Sequence, residues 1–240
     1  MPTPIESNSD LSMIQAVILD LDDTLYSEVE YVRSGFRAVA NYLAWAGDTH
    51  DGRQLFDLMW QEFQKGDRSR VFNAVLDKIG KKAGTARPTV GELITFYREH
   101  KPDIQLDADV RNLLAGLQER FKMGLLTDGY LPAQKLKVAS LGIEGYFDHI
   151  VYTEELGREH WKPSPVGFEK MAEALDCAYE HCVYVGDNPK KDFIAPNRLG
   201  WATIQIETAQ GVHRHLTSNA AASPDRILSN FSELATTFLK

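Results

Sequence analysis

Asp20, Asp22 and Asp23 crowd into the segment AVILDLDDTLYSE, residues 16–28, immediately after a run of apolar residues. Such a run has the character of a buried parallel strand, and in an open α/β sheet ligands bind beyond the carboxyl ends of the strands. Asp20 stands where the run stops. If the chain is still extended there, Asp20 and Asp22 face one side and Leu21 the other, because side chains alternate with a period of two. A single Asp in this place would be explained by a strand end or a turn. Two carboxylates facing one spot need support from elsewhere in the chain before they mark a site.

Three further segments end in the same manner. MGLLTDGY stops at Thr127, whose hydroxyl would project from the same edge, while the backbone N–H groups of Asp128 and Gly129 are placed to bind an anion. In EHWKPSPVGF, Ser164 is a natural N-cap and Pro165 suits the first helical position; the cap explains Ser164 but not Lys162, which taken alone would read as a surface lysine. CVYVGDNPKKDF ends a strand at Gly186, continues with Asp187, and carries Asp192 about one turn into a helix starting at Asn-Pro. Asp20, Asp22, Asp187 and Asp192 would thus meet Thr127 and Lys162 at one sheet edge. Carboxylates this dense do not all stay ionised without a cation, and a hard divalent ion with oxygen ligands answers them. Mg²⁺ fits best, since it keeps waters and shares its shell with phosphate.

The elements that must hold these residues follow from periodicity. Short runs rich in Val, Ile and Leu at 15–20, 122–127, 148–152, 182–186 and 201–206 have strand length. Helical patterns at about 107–120, 131–141, 165–175, 189–199 and 229–239 alternate with them, the order of an α/β doubly wound parallel sheet. The order breaks once. From 28 to 105 there is no convincing strand, only helical stretches such as VEYVRSGFRAVANYLAWAG and RQLFDLMWQEFQKG, so this segment is expected to be an inserted helical subdomain. KKAGTARPT, 81–89, is expected as a loop within it.

Composition excludes several classes. The hydrophobic share is 43%, the charged share 25% and the net charge -8. That is an ordinary globular balance without a dense basic block, so a nucleic-acid polymer is not the expected ligand. No apolar run approaches the roughly 20 residues of a membrane helix. Residues 1–13 lack the basic start and apolar stretch of a secretory signal and are expected as a flexible tail on a cytoplasmic protein. Cys177 and Cys182 are too few for a disulfide framework and lack metal-pair spacing, so both are expected reduced near the core.

LDLDDTLY, LLTDG, WKPSP and VGDNPKKD, in this order and spacing, resemble the four motifs of the haloacid dehalogenase superfamily. The likeness runs from the first strand to about residue 206, and the insertion resembles the helical C1 cap of its cap-bearing members. The resemblance implies a Rossmann-like core at 14–27 and 106–240, a cap at 28–105 acting as a mobile lid, and a phosphoryl-transfer site. It implies that Asp20 is the nucleophile, forming an aspartyl phosphate, and that Asp22 is the general acid/base, its main-chain carbonyl helping to hold Mg²⁺. Thr127 and Lys162 would bind the phosphoryl oxygens, with the N–H of Asp128. Asp187 would ligate the metal and Asp192 would support it, directly or through water. Asp128 departs from the Asn often found after the Thr of this second motif, and places an extra negative charge near a phosphate.

An acid at Asp22 favours phosphate-ester hydrolysis, in which an alkoxide must be protonated, over halide displacement. A small phosphorylated metabolite, a nucleotide or a sugar phosphate, is the expected substrate of a monomer or homodimer. A phosphomutase is the alternative, with a dehalogenase or a non-catalytic binding scaffold behind it. Other features take structural readings. His213 and His215 in GVHRHL have no third ligand in view. Trp45, Trp60 and Phe63 recur at helical positions as expected cap core. Lys65, Arg68 and Arg70 fit a solvated interhelical loop. Were they instead to meet an acidic substrate, replacing Arg68 and Arg70 would raise KM for an anionic compound, and unchanged kinetics would remove that idea.

Overall fold

The computed structural model of the protein describes residues 10–45, 51–66, 68–80, 88–207 and 220–239. Residues 1–9 of the expected tail, 81–87 of the expected loop, and His213 and His215 lie outside the described residues. The apolar runs form β1 (Ala16–Leu19), β2 (Lys122–Thr127), β3 (His149–Tyr152), β4 (Cys182–Gly186) and β5 (Ala202–Ile206), and a further strand, β6 (Arg226–Leu228), joins them. All pair in parallel, in the order β3-β2-β1-β4-β5-β6. Every residue of β1, β4 and β5 is buried, which is why each reads as a continuous apolar run rather than an alternating one. At the rims, β3 and β6 are only partly covered.

The helices are α1 (Glu28–Trp45), α2 (Gly52–Gln64), α3 (Val71–Ile79), α4 (Val90–Glu99), α5 (Ala108–Gln118), α6 (Ala133–Leu141), α7 (Val166–Ala174), α8 (Ile194–Leu199) and α9 (Phe231–Phe238). The first five lie between β1 and β2 in the chain, and no strand occurs among the described residues there. Among the described residues no helix is long and apolar enough to cross a membrane.

Two compact units result. One gathers Met1–Glu28, Gln105–Tyr130 and Leu141–Lys240, the other Val29–Ile104 with Leu131–Ser140. In the sheet unit, Ile18, Phe168, Met171, Tyr184, Phe193 and Trp201 form one buried cluster. Phe168 meets Tyr184 and Trp201 edge-on, with ring centroids 5.0 and 5.6 Å apart. Burial of each such side chain contributes about 1.5–3 kcal/mol, enough for packing rather than propensity to hold short helices such as α7 in place. Cys182 is buried and Cys177 half-buried, both as free thiols.

The helical unit has its own core of Phe36, Val39, Leu43, Leu55, Met59, Val75 and Leu93. Trp60 and Phe63 pack against it as expected, but Trp45 does not: it is 85% exposed. Leu43 is on the buried stripe of α1, and Trp45 lies about 200° further round the helix, on the opposite side. A buried network ties α1 to the segment after α4. His100 Nδ1 is 2.6 Å from the Tyr97 carbonyl oxygen, so Nδ1 carries the proton and Nε2 accepts from Ser34 Oγ at 3.0 Å. Ser34 Oγ in turn accepts from the Asp103 N–H at 2.8 Å, which closes the network. Lys137 of α6, also buried, sits 4.2 Å over the Tyr31 ring. Arg68 stands 4.6 Å over the Phe63 ring, on an exposed turn with Arg70.

Candidate active site

The sheet reverses its winding between β1 and β4, and that crevice is where open α/β sheets bind ligands. Leu19 pairs with Val185, and the Asp20 N–H continues the ladder to the Val185 carbonyl at 2.9 Å. Asp20 therefore leaves β1 beside the point where β4 runs out at Gly186 and Asp187. Asp192 returns to the same place by a turn. Its N–H donates to the Asn188 carbonyl at 2.9 Å, and its Oδ2 accepts from the Asn188 N–H at 2.8 Å. A Cβ on Gly186 would stand 2.7 Å from Asp192 Oδ2, so only glycine at this strand end admits the carboxylate. Asp192 was expected a turn inside a helix, yet α8 begins only at Ile194. These two hydrogen bonds with Asn188 hold residues 188–192 as a turn instead.

Asp20, Asp187 and Asp192 bring carboxylate oxygens within 4.8 Å of one another. Lys162 Nζ lies 2.9 Å from Asp20 Oδ2, 2.9 Å from Asp192 Oδ1 and 2.8 Å from Tyr184 Oη. All four of these side chains are buried. Asp187 Oδ2 and Asp192 Oδ1 are nevertheless buried without a hydrogen bond, since Lys162 approaches Asp192 Oδ1 closely but outside hydrogen-bond geometry. A buried carboxyl oxygen without a well-formed hydrogen bond is costly whether the group is ionised or protonated. A hard cation with oxygen ligands would answer both, so the donor set fits Mg²⁺.

The carboxyl groups respond unequally. Burial pushes Asp187 up to about 9, and the neighbouring charges of Asp192 and Asp20 add to the effect. Asp192 is buried too, but the Lys162 and Lys191 ammonium groups outweigh burial and hold it below the usual carboxylate range. Asp20 falls between: burial raises it to about 6 against the pull of Lys162. Burial alone would lower Lys162, yet Asp192 and Asp20 raise it well above the ordinary lysine value. The site thus holds one committed anion, one committed cation and a carboxyl that keeps its proton until a cation replaces it.

The Asp22 carboxylate is not grouped with the other three. The ladder continues through the Asp20 N–H, but the chain bends at Leu21 and turns through 23–25, so strand alternation does not set the direction of Asp22. Its carboxylate lies outside the group formed by Asp20, Asp187 and Asp192, and Oδ1 accepts from Tyr26 Oη. Asp23 has a structural task. With φ at 53° it turns the chain, and its Oδ1 accepts the Glu28 N–H at 2.8 Å where α1 starts. Thr127 ends β2 with a buried side chain. Asp128 Oδ1 accepts from Thr153 Oγ1 at 2.8 Å and from the Lys162 N–H at 3.1 Å, while Oδ2 is 3.5 Å from Lys191 Nζ. Tyr184, Thr153 and Lys191 were not anticipated. Only Tyr184 carried a signal, a phenol in the middle of a buried strand that must find a polar partner.

Residues 14–200 match the haloacid dehalogenase-like hydrolases, and the chain belongs to that family. It is 32% identical over 202 residues to a glyceraldehyde 3-phosphate phosphatase of Methanopyrus kandleri, covering 81% of this chain and 84% of the relative. It is also 32% identical over 240 residues to N-acylneuraminate-9-phosphatase of Rattus norvegicus, covering 93% of each. Its fold resembles that of the putative HAD-hydrolase YfnB of Bacillus subtilis, solved bound to magnesium, with a TM-score of 0.67 and 20% identity over 95% of this chain and 99% of that one. The expected α/β fold with a helical insertion after the first strand is borne out.

Proposed function

We propose that the protein hydrolyses a small phosphomonoester of the sugar-phosphate class through an aspartyl phosphate on Asp20, with Mg²⁺ as cofactor. The observation that carries this is the placement of Asp20 at the winding reversal, 2.9 Å from Lys162 and grouped with Asp187 and Asp192. The relatives named for phosphorylated three-carbon and sialic acid substrates support the class. We take 14–27 and 106–240 as the core and 28–105 as the cap.

In the first step an Asp20 carboxylate oxygen forms a bond to phosphorus as the ester P–O bond breaks, and Asp22 passes its proton to the departing alkoxide. In the second, water attacks the same phosphorus, Asp22 takes its proton, and phosphate leaves Asp20 as a free carboxylate. Tyr26, bonded to Asp22 Oδ1, steadies the group that moves these protons. Lys162 and the Thr127 hydroxyl receive the transferring phosphoryl oxygens, joined by the Asp128 N–H. Asp20, Asp187 and Asp192, with the Asp22 main-chain carbonyl, would hold Mg²⁺. When bound, the ion supplies Lewis-acid stabilisation of phosphoryl charge.

Release of inorganic phosphate from sugar phosphates, phosphorylated three-carbon acids and aldehydes, and nucleoside monophosphates, each with Mg²⁺ and with chelator, tests this. Sugar and three-carbon phosphates are expected to turn over faster than nucleotides, and chelator is expected to abolish turnover. Folded protein that binds Mg²⁺ but releases phosphate from none of them would point instead to mutase-type transfer or a binding scaffold.

A further inference from the structure

Asp128 sets a fixed carboxylate directly after Thr127, where the proposed reaction docks an anion. Its side chain is 6% exposed, so water does little to spread that charge. The Thr153 hydroxyl and the Lys162 N–H that bond Oδ1 are neutral donors, which would serve an amide oxygen as well. Lys191 differs: it brings a full positive charge to Oδ2. Among the described residues Asp128 is its only ion-pair partner within 4.0 Å, although its charge also reaches Asp192 and Asp20, and its side chain is 31% exposed where that of Lys162 is 1% exposed. The ammonium is delivered by a well-tied turn. The Lys190 N–H donates to Asn188 Oδ1 at 3.1 Å, and the Lys191 N–H to the Asn188 carbonyl at 3.1 Å.

We infer that Lys191 is a positioning residue that cancels the charge of Asp128, so that the turn after β2 accepts a phosphate despite its acidic side chain. The inference rests on the phosphatase reading and adds a residue to it. Asp128 and Lys191 form a matched pair whose separate removal has opposite consequences. Without Lys191 an uncompensated carboxylate repels the phosphoryl group. Without Asp128 the ammonium attracts it more strongly.

A double-mutant cycle measures this with the full chain. KM and kcat for a phosphomonoester hydrolysed by the wild type, and the inhibition constant of inorganic phosphate, are determined for K191M, D128N, D128N/K191M and K191R. K191M is expected to raise KM and the phosphate inhibition constant about tenfold while kcat changes by less than about threefold, as charged neighbours couple strongly. D128N is expected to lower both constants, D128N/K191M to return them to within about threefold of wild type, and K191R to stay near wild type. A double variant as impaired as K191M would make Lys191 a direct phosphate ligand and overturn the inference, as would a K191M indistinguishable from wild type. Should K191M fail to fold, D128N/K191M, which removes both members of the pair, must still fold and bind phosphate, because Lys162 remains 2.9 Å from both Asp20 and Asp192. If it does not, the inference fails. A wild type with neither turnover nor phosphate inhibition would remove the phosphatase reading itself, whereas an active wild type with additive variants removes only the pairing.

Discussion

Asp20→Asn lowers kcat for phosphate release by about 10⁴-fold or more, the scale on which loss of an attacking group acts in a hydrolase. The exchange is close to isosteric, and the amide oxygen can still accept the Leu21 N–H that Asp20 Oδ1 accepts at 2.8 Å. What changes is chemistry. An amide does not form the acyl phosphate, and its NH₂ group confronts the Lys162 ammonium that Asp20 Oδ2 meets at 2.9 Å. Lys162 keeps Asp192 at the same distance, so the buried ammonium retains a counter-charge and the fold survives. Two measurements check this: steady-state phosphate release, and mass spectrometry of protein quenched in acid during turnover. Wild-type protein should carry a phosphoryl adduct on the peptide containing Asp20, and the variant none. Residual turnover above about a hundredth of wild type would mean that water attacks the substrate without a covalent stage, since a 10²-fold effect is that of a lost stabilising contact rather than a lost nucleophile.

The strand-end residues were legible because parallel strands buried on both faces announce themselves as unbroken apolar runs, and a carboxylate at the end of such a run is conspicuous. AVIL before Asp20 and CVYVG before Asp187 both behave in this way. Contacts made by side chains returning from elsewhere were not legible. Tyr184 bonds Lys162 across 22 positions of chain, and Lys191 meets Asp128 across a far larger gap. No local pattern encodes either pairing. Asp192 precedes its helix for a local reason: NPKKDF has the composition of a helix start, but Asn188 closes a turn through its backbone and side chain before α8 begins at Ile194. Trp45 shares the helical spacing of the core aromatics but lies about 200° round α1 from buried Leu43, so spacing alone does not tell it from core. β6 is a three-residue edge strand, too short and too exposed for its periodicity to register.

Metal-free protein loses stability as pH rises from about 4 toward 9, and Mg²⁺ restores it with release of a proton. The sign follows from Asp187. Its carboxyl is raised from 3.8 to about 9 in the folded protein, so between those values the native state holds a proton that the unfolded chain has lost. More protons on the native side make the unfolding free energy fall with rising pH. Asp20, raised to about 6, adds to the same slope at its acidic end. Asp192, held low by Lys162 and Lys191 against burial, works in the other direction: it stabilises above 3.8 and loses that contribution only in stronger acid. Lysine charge therefore satisfies Asp192, and the uncompensated member of the cluster is Asp187.

A cation must displace its proton. Mg²⁺ affinity should accordingly rise up to about tenfold per pH unit between 6 and 9, with close to one proton released per ion near neutrality. Calorimetry in two buffers of different ionisation enthalpy measures that release. At Mg²⁺ a hundredfold above Kd the gain is about 2.7 kcal/mol, or about 5–10 °C in Tm for a chain of this size. Asp187→Asn separates the terms. The amide mimics the protonated acid, so the metal-free variant should show a flatter stability profile above pH 6 and no Mg²⁺-dependent rise in Tm. Mg²⁺ affinity independent of pH over this range, with no proton released, would mean that Asp187 is already ionised beside Lys162. The cluster's charge would then be balanced by lysine alone, and its orphaned oxygens would need a different explanation.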